Sequence, residues 1–569
     1  MAKAFSHWII LGLVVILCLL EIGAYRIQGE LAVIASHAWA VMGVAYFTAT
    51  AVLIVGSLLS DWWKGKFVFT LLVIGLAIMV YYRLGDMYHL QINYESASQL
   101  ASFLKFNIHR PDWGYTGTAF VGYPARQFII VAIPSLLFGN EVVWLQFGYA
   151  TLFYSGVLCF YLGVRHYFAA KQISELWALV TVVSCFIFPY LILYIYNMEQ
   201  ILVPISLVTH ALGWLLLSLE KLTVPRVLIL AWISGLLGTS YTPTLAAWAL
   251  FQSFFFLLMV RAAREKRWVE IVLWFSVLAY TATFGLCSNL TRTDTRLGPH
   301  PGLAQESLLK GFKVFFLGHP QPYMPTVVAV FVAIFFLLAL TGRLGLIKWI
   351  TAVWMLGVIY FSATANGYAP YDPAFTLYRS ILLIPILMLA CWDTYLGLFK
   401  KLTSWKKFTS LKQFEPILAV LLCAAVTAGS IHQYFQRGRG YGPQSKEYFI
   451  SFLLKQAEAA GIRRRPATFV SMTQQVTYHP IQGYGEYFFP NWHVLIYPQD
   501  KLDSFNPNPS EPVLMISDID VEQKDCLPTG WTGTEEVKYM DARRNLFPVR
   551  IGLFRWTGNA SPVAAMTSQ

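Results

Sequence analysis

The chain has 569 residues, 57% of them hydrophobic and 13% charged, with a mean hydropathy of +0.54 and a formal net charge of +12. A soluble domain carries about 25% charged residues, so a wholly water-exposed protein is excluded; a bilayer accepts such apolar surface along about 20 residues per helix. The basic excess does not point to nucleic acid, because no basic stripe interleaves with aromatic residues; in a membrane chain Lys and Arg collect in cytoplasmic loops.

The apolar runs are continuous rather than alternating, which suits closed helices and not a barrel. The first, near 8–25, follows Met1, Ala2 and Lys3 without a small-residue cleavage site and reads as a retained anchor. Others follow near 38–60, 67–82, 141–163, 175–196, 201–219, 226–243, 244–260, 269–287, 324–341, 345–362, 379–398 and 415–435. The expectation is a mainly α, polytopic transmembrane helical bundle of about thirteen spans. The stretch from Val227 to Val260 is too long for one span and is divided at Thr239–Pro243, where proline can end a helix.

Basic clusters orient the bundle. Lys64 and Lys66, then Arg165, His166 and Lys171, then Lys221 and Arg226, then Arg261, Arg264, Lys266 and Arg267 can share one side, and so can Arg343, Lys348, Lys400 and Lys401. That side is expected to be cytoplasmic, with the N-terminus inside and the C-terminus outside. The opposite side carries the longer loops: one from Arg83 to about residue 140, one near 288–323 and one near 363–378. Within the first, Arg126 to Phe138 is apolar but short, and a helix lying in the interface keeps the basic segments together.

From about residue 436 the composition changes. A helix near 445–459 and strands near 467–471, 493–497, 512–516 and 549–556, separated by turn signals such as Asn506–Pro509, suggest a small C-terminal α/β or α+β domain. The expected division is therefore 1–66, an N-terminal transmembrane hairpin; 67–435, the main transmembrane domain with its exterior loop 83–140; and 436–569, a soluble extracytoplasmic domain. The seven cysteines include no CxxC pair, and all but Cys526 fall in apolar spans or at their ends, which argues against a zinc site or a disulfide framework.

No Walker loop, HExxH, GxSxG elbow or zinc spacing is present, so chemistry is sought where ionisable groups meet the membrane boundary. Asp86 directly follows the third span, close to Arg83 and His89. A carboxylate at that depth is partly desolvated and can act as a general base or position a hydroxyl nucleophile; the position also suits a helix-end cap or a pair with Arg83. Glu199, in the polar turn from Tyr194 to Glu199, can orient such a carboxylate or simply satisfy a helix–helix turn. Arg379, at the entry to a late Leu- and Pro-rich helix, sits at the expected depth of a lipid phosphate, and Arg126, Arg292 and Arg296 lie in exterior segments. Planar guanidinium forks suit phosphate oxygens, although interfacial arginines also snorkel or contact anionic lipid. His300, His319, Asp294 and Asp372 are weaker candidates, better read as loop residues. In the tail, Tyr484, Tyr487, Phe488, Phe489 and Trp492 could stack on sugar rings or form an ordinary core.

The order of these parts resembles the GT-C superfamily of integral-membrane glycosyltransferases, which includes protein O-mannosyltransferases and lipid A aminoarabinose transferases. The elements that carry the resemblance are Asp86, the amphipathic stretch Tyr94–Phe106, the Gly122–Pro124 element, the apolar Phe128–Leu137, and Phe138 with Gly139; Glu199 and Tyr378–Pro385 fit the same plan. It spans roughly 67–400 and leaves the first two helices outside. Where many relatives have a paired Asp-Glu this chain has Asp86 and Met87, and Ala125 replaces a second proline.

The resemblance implies a glycosyltransferase that takes a sugar from a polyprenyl-phosphate donor, with 67–435 as its catalytic domain. It further implies Asp86 as catalytic carboxylate, Arg379 and Arg126 on the donor phosphate, and Glu199, Arg83 and His89 in support. The acceptor would be an envelope glycan, lipid or protein on the exterior face of a cell inner membrane, and the sugar would be transferred with inversion. No metal site is expected, and a divalent cation is left open. A lipid-linked saccharide transporter or flippase would instead place polar residues deep within spans and show internal repeats; a non-catalytic envelope-assembly scaffold would leave Asp86 dispensable.

Overall fold

The computed structural model describes residues 2–27, 30–64, 142–188, 199–239, 244–290, 325–364, 382–403 and 411–437. It also describes residues 69, 73, 75, 137, 138, 315 and 316, and the backbone of five strands between 467 and 556. Among the described residues there are twelve α-helices. In chain order they are α1 (Ala2–Ile27), α2 (Glu30–Trp63), α3 (Val142–Ala170), α4 (Glu175–Ser184), α5 (Glu199–Glu220), α6 (Val224–Thr239), α7 (Thr244–Arg264), α8 (Trp268–Leu290), α9 (Thr326–Leu340), α10 (Leu346–Thr364), α11 (Ile384–Thr403) and α12 (Leu411–Arg437). The chain divides into two compact units, one carrying the helices and the other the strands.

Turn chemistry sets the helix ends. α3 stops at a turn whose Gln172 is left-handed (φ 58°), where the Ile173 amide returns to the Phe168 carbonyl at 2.9 Å and the Gln172 amide to Ala169 at 2.9 Å. This is the usual way a helix satisfies its last carbonyls. Ser174 then caps α4 by accepting the Leu176 amide. Gly342 and Gly345, at φ 72° and 89°, make the sharp reversal between α9 and α10; a side chain there would be strained. α6 ends at Thr239 and α7 begins at Thr244; residues 240–243, where the division at proline is expected, lie outside the described residues.

Five of these helices contain stretches long and apolar enough to cross a membrane: Val41–Trp63, Phe147–Ala170, Leu202–Glu220, Ala246–Arg264 and Trp268–Cys287. Hydropathy leads one to expect about thirteen spans; in other described helices the apolar stretches are shorter, such as Trp8–Leu20 in α1 and Gln413–Gly429 in α12. α9, for example, has 15 residues, which rise only about 22 Å against a hydrocarbon thickness of about 30 Å. The expected span near 67–82 lies largely outside the described residues, as does the interfacial helix expected over Arg126–Phe138, apart from Leu137 and Phe138.

The core is built around α3 and α5. In their apolar stretches 83% and 94% of residues are buried, against 17% for α2, so α2 turns most of its surface outward. α3 and α5 meet at glycine: a Cβ on Gly213 would lie 2.5 Å from the Cys159 carbonyl oxygen, and one on Gly163 would lie 2.6 Å from that of Gly213. Close backbone approach of this kind is how helices associate where apolar burial gives no preference between protein and lipid. α6 packs on α5, α7 and α8, α1 lies on α8 and α2, and α4 packs against α11 and α12. Trp232 of α6 is fully buried, its ring 4.9 Å from that of Tyr46 in α2.

The five strands are β1 (Ala467–Ser471), β2 (Trp492–Ile496), β3 (Val513–Ser517), β4 (Trp531–Tyr539) and β5 (Val549–Trp556), joined in one sheet of order β2-β1-β3-β5-β4. β2, β1 and β3 run parallel, while β5 pairs antiparallel with β3 and with β4. β4 and β5 pair from Trp531 opposite Trp556 to Tyr539 opposite Val549, with an irregularity between Gly533 and Glu535. β1 and β5 lie where sequence places them, β2 and β3 within one residue of it, and β4 is an addition that sequence reasoning missed. Its Gly533 and its charged Glu535 and Glu536 obscure the β pattern. The helix expected near 445–459 lies outside the described residues.

Candidate functional site

Asp86, Arg83, His89, Arg126 and Arg379 all lie outside the described residues. Glu199 opens α5 as its first residue, but its side chain lies outside the described set. The weaker candidates Arg292, Asp294, Arg296, His300, His319 and Asp372 are outside as well, as is the aromatic group Tyr484–Phe489. The described structure therefore brings together none of the residues that sequence singles out. Among the described residues the helical unit shows three buried or partly buried polar constellations, and one exposed group at a turn, that sequence reasoning did not assemble.

The first centres on His210, fully buried in α5. Its Nδ1 meets the Tyr46 hydroxyl of α2, and its Nε2 lies 3.0 Å from the Ser155 hydroxyl and 3.2 Å from the Leu152 carbonyl of α3. Both ring nitrogens thus have partners, as a buried imidazole requires. In addition, Trp214 Nε1 donates to the Thr50 hydroxyl at 3.3 Å. These contacts fasten the N-terminal hairpin to the central helices.

The second lies at the far ends of the same helices. Asp61 of α2, 1% exposed, accepts both guanidinium nitrogens of Arg165 in α3, at 2.6 and 2.7 Å. Arg165 Nε reaches Glu175 at 3.3 Å, and Glu175 also accepts the Tyr161 hydroxyl at 2.8 Å. A buried carboxylate is tolerable only when paired and hydrogen-bonded in this way. The fork geometry explains why arginine rather than lysine fits here.

The third joins α3, α10 and α11. The Asp393 carboxylate, with its side chain 8% exposed, receives Lys171 Nζ at 2.5 Å and Lys348 Nζ at 2.9 Å. Lys171 also donates to the Tyr167 hydroxyl at 2.6 Å. Lys400 donates to the Lys171 carbonyl at 3.0 Å and, among the described residues, forms no ion pair. These groups border a cavity of about 340 Å³ lined by Lys171, Ile173, Lys348, Asp393, Gly397 and Lys400. Sequence reading used the three lysines only to orient the chain; the signal it passed over is a lone Asp393 inside an apolar helix, with Gly397 and Lys400 at i+4 and i+7 on the same face.

A fourth group, at the α7–α8 turn, is exposed: Arg261, Glu265, Arg267 and Glu270 form a chain of ion pairs of 2.5–2.8 Å. The hydrogen bond from Arg261 holds the Glu265 carboxyl below its ordinary range. No group of three or more His, Cys, Asp and Glu residues among those described could hold a metal ion.

No family model matches the sequence, and no curated protein matches it. Solved structures do. The fold is shared with ArnT from Cupriavidus metallidurans bound to undecaprenyl phosphate, at a TM-score of 0.53 and 10% identity, over 88% of this chain and 99% of that one. ArnT from the same organism in the apo state matches at a TM-score of 0.50 and 11% identity, over 86% and 97%. The chain thus shares the fold of ArnT, an aminoarabinose transferase of the kind whose order of elements the sequence resembles. Residues 1–400 make up a smaller share of the chain than 88%, so the likeness reaches past residue 400 and is broader than the stretch 67–400 expected from sequence.

Proposed function

We propose that the chain is a membrane glycosyltransferase that moves a sugar from a polyprenyl-phosphate-linked donor to a glycan, lipid or protein acceptor of the cell envelope. The observation that carries this reading is a fold shared over 88% of the chain with ArnT, a protein seen with undecaprenyl phosphate bound. The order of Asp86, the Gly122–Pro124 element, the apolar stretch after it and Arg379 in the sequence supports it independently.

In this reading the chain crosses the inner membrane about thirteen times. Its N-terminus is cytoplasmic and its exterior loop 83–140 and residues 436–569, a small α/β domain, lie on the periplasmic face. The Asp86 carboxylate takes the proton of the acceptor hydroxyl as that oxygen attacks the anomeric carbon. The bond from that carbon to the phosphate oxygen breaks, and the configuration inverts. Arg379 and Arg126 face the phosphate as it gains negative charge, where preorganised cations lower the barrier most. Glu199, Arg83 and His89 hold the carboxylate and the sugar in place. A divalent cation is not required by any residue pattern in the chain.

The test compares envelope glycolipids and glycans by mass spectrometry in wild type, a deletion strain and strains carrying Asp86→Asn or Arg379→Ala, with each variant's membrane level measured alongside. Asp86→Asn is expected to accumulate normally and to lack the same sugar-sized mass as the deletion. Arg379→Ala should lower transfer by ~100-fold or more, the size of effect seen when one donor to a developing oxyanion is removed. A full yield of the deletion-sensitive product from Asp86→Asn would make Asp86 structural and refute the mechanism.

A further inference from the structure

The cavity bordered by Lys171, Lys348 and Lys400 has no part in the reaction just described. It lies at the C-terminal end of α3, near the start of α10 and in the second half of α11. Those are helix ends that the distribution of basic residues assigns to the cytoplasmic side.

Three ammonium groups border the cavity, and Asp393 is the only carboxylate among its lining residues. That carboxylate is already engaged by Lys171 and Lys348. Lys400 is held by oxygen atoms that carry no charge, the Lys171 carbonyl and, at 3.5 Å, the Gln172 amide. The site therefore keeps a surplus of two positive charges. Its shape is set by the backbone: the left-handed turn at Gln172 redirects the chain between Lys171 and Ile173, which both line the cavity, and at Gly397 a Cβ would meet nothing within 4 Å. The buried Asp393 holds two of the lysine heads, the half-exposed Lys171 and the partly buried Lys348, on one carboxylate, which lowers the entropy lost when a ligand joins them.

We infer that this cavity is a binding site for a phosphate group at the cytoplasmic membrane surface. Two sources supply that chemistry at this depth, the headgroup of an anionic phospholipid and free phosphate. Ammonium groups act on either as point charges. The inference rests on the helical unit alone and does not depend on the transferase reading.

The test uses the full-length protein in nanodiscs and follows acetylation of individual lysines by an amine-reactive reagent, read peptide by peptide in a mass spectrometer. One arm compares phosphatidylcholine discs with discs that also contain phosphatidylglycerol. The other adds inorganic phosphate to phosphatidylcholine discs at ionic strength matched with chloride. Lys221 and Lys266, on the same expected side but away from the cavity, serve as references.

In at least one arm, acetylation of Lys171 and Lys348 is expected to slow several-fold relative to the same lysines in plain phosphatidylcholine discs, while the references change little. Protection only with phosphatidylglycerol assigns a lipid headgroup, and protection by added phosphate assigns the free anion. Lys400→Gln breaks no ion pair among the described residues, and it should abolish the protection of Lys171 and Lys348 while leaving the melting temperature unchanged. Equal slowing of all lysines, or no slowing in either arm, overturns the site. So does protection that persists in a well-folded Lys400→Gln protein.

Discussion

A buried histidine in a membrane helix is by default a candidate for function, because burying an ionisable group between apolar helices is costly. His210 invites that reading, and a transporter is the class that would most use it. Its surroundings favour a structural role: Tyr46, Ser155 and the Leu152 carbonyl already occupy both ring nitrogens. Tyr46→Phe should therefore cost about 1 kcal/mol, the scale of an interhelical hydrogen bond within a membrane. The expected readout is a lower apparent melting temperature of the detergent-purified protein with sugar transfer retained. Loss of transfer in a Tyr46→Phe protein that melts like wild type would make the His210 cluster part of the working site. At this scale little of the candidate site was legible. Sequence picks out Asp86 and Arg379 because a charge at the end of an apolar run is conspicuous, but whether loops almost three hundred positions apart meet is not written in either segment.

Helices α3 and α5 show how one residue type governs a whole element. Gly163 and Gly213 let the two backbones touch, and the apolar stretches of the two helices are the most fully buried of the candidate spans. Gly213→Val puts methyl groups where the Cys159 backbone already lies, so the helices must separate. Overpacking of this kind costs about 1–3 kcal/mol. The variant should accumulate poorly or melt at a lower temperature, whereas Gly56→Val in α2, where a Cβ would meet nothing within 4 Å, should behave as wild type. Equal melting of the two variants would show that α3 and α5 do not cross at Gly213. Helix α2 is tied to the central helices within this chain through Tyr46, Thr50 and Asp61. Breaking the Asp61–Arg165 pair on one side would leave a buried charge unpaired, a change that typically costs about 3–5 kcal/mol.

For the whole molecule, topology is the property on which the proposed function depends most directly, since in that proposal donor and acceptor meet on the face that carries the long loops. With Cys526 replaced by serine, Lys266→Cys and Ser568→Cys report opposite sides. In right-side-out vesicles an impermeant maleimide should label Ser568→Cys at once and Lys266→Cys only after lysis. The reverse pattern would invert the protein and place loop 83–140 in the cytoplasm. The likeness to ArnT over nearly the full length of that protein, at 10% identity, fits a fold held by apolar composition and helix order, which many sequences satisfy.

The apolar runs and four of five strands can be read from the chain because each depends on local properties: hydropathy, backbone freedom and side-chain alternation. Which helices sit at the centre cannot, because lipid and protein interior are equally apolar and a buried helix face looks like a lipid-facing one. The same holds for the partners of Asp61 and Asp393, whose lysine and arginine counter-ions come from helices 104 and 222 positions away. Those pairings, and the cavity they border, arise only when the helices are packed, since it is the loss of water around each charge that makes its partner obligatory.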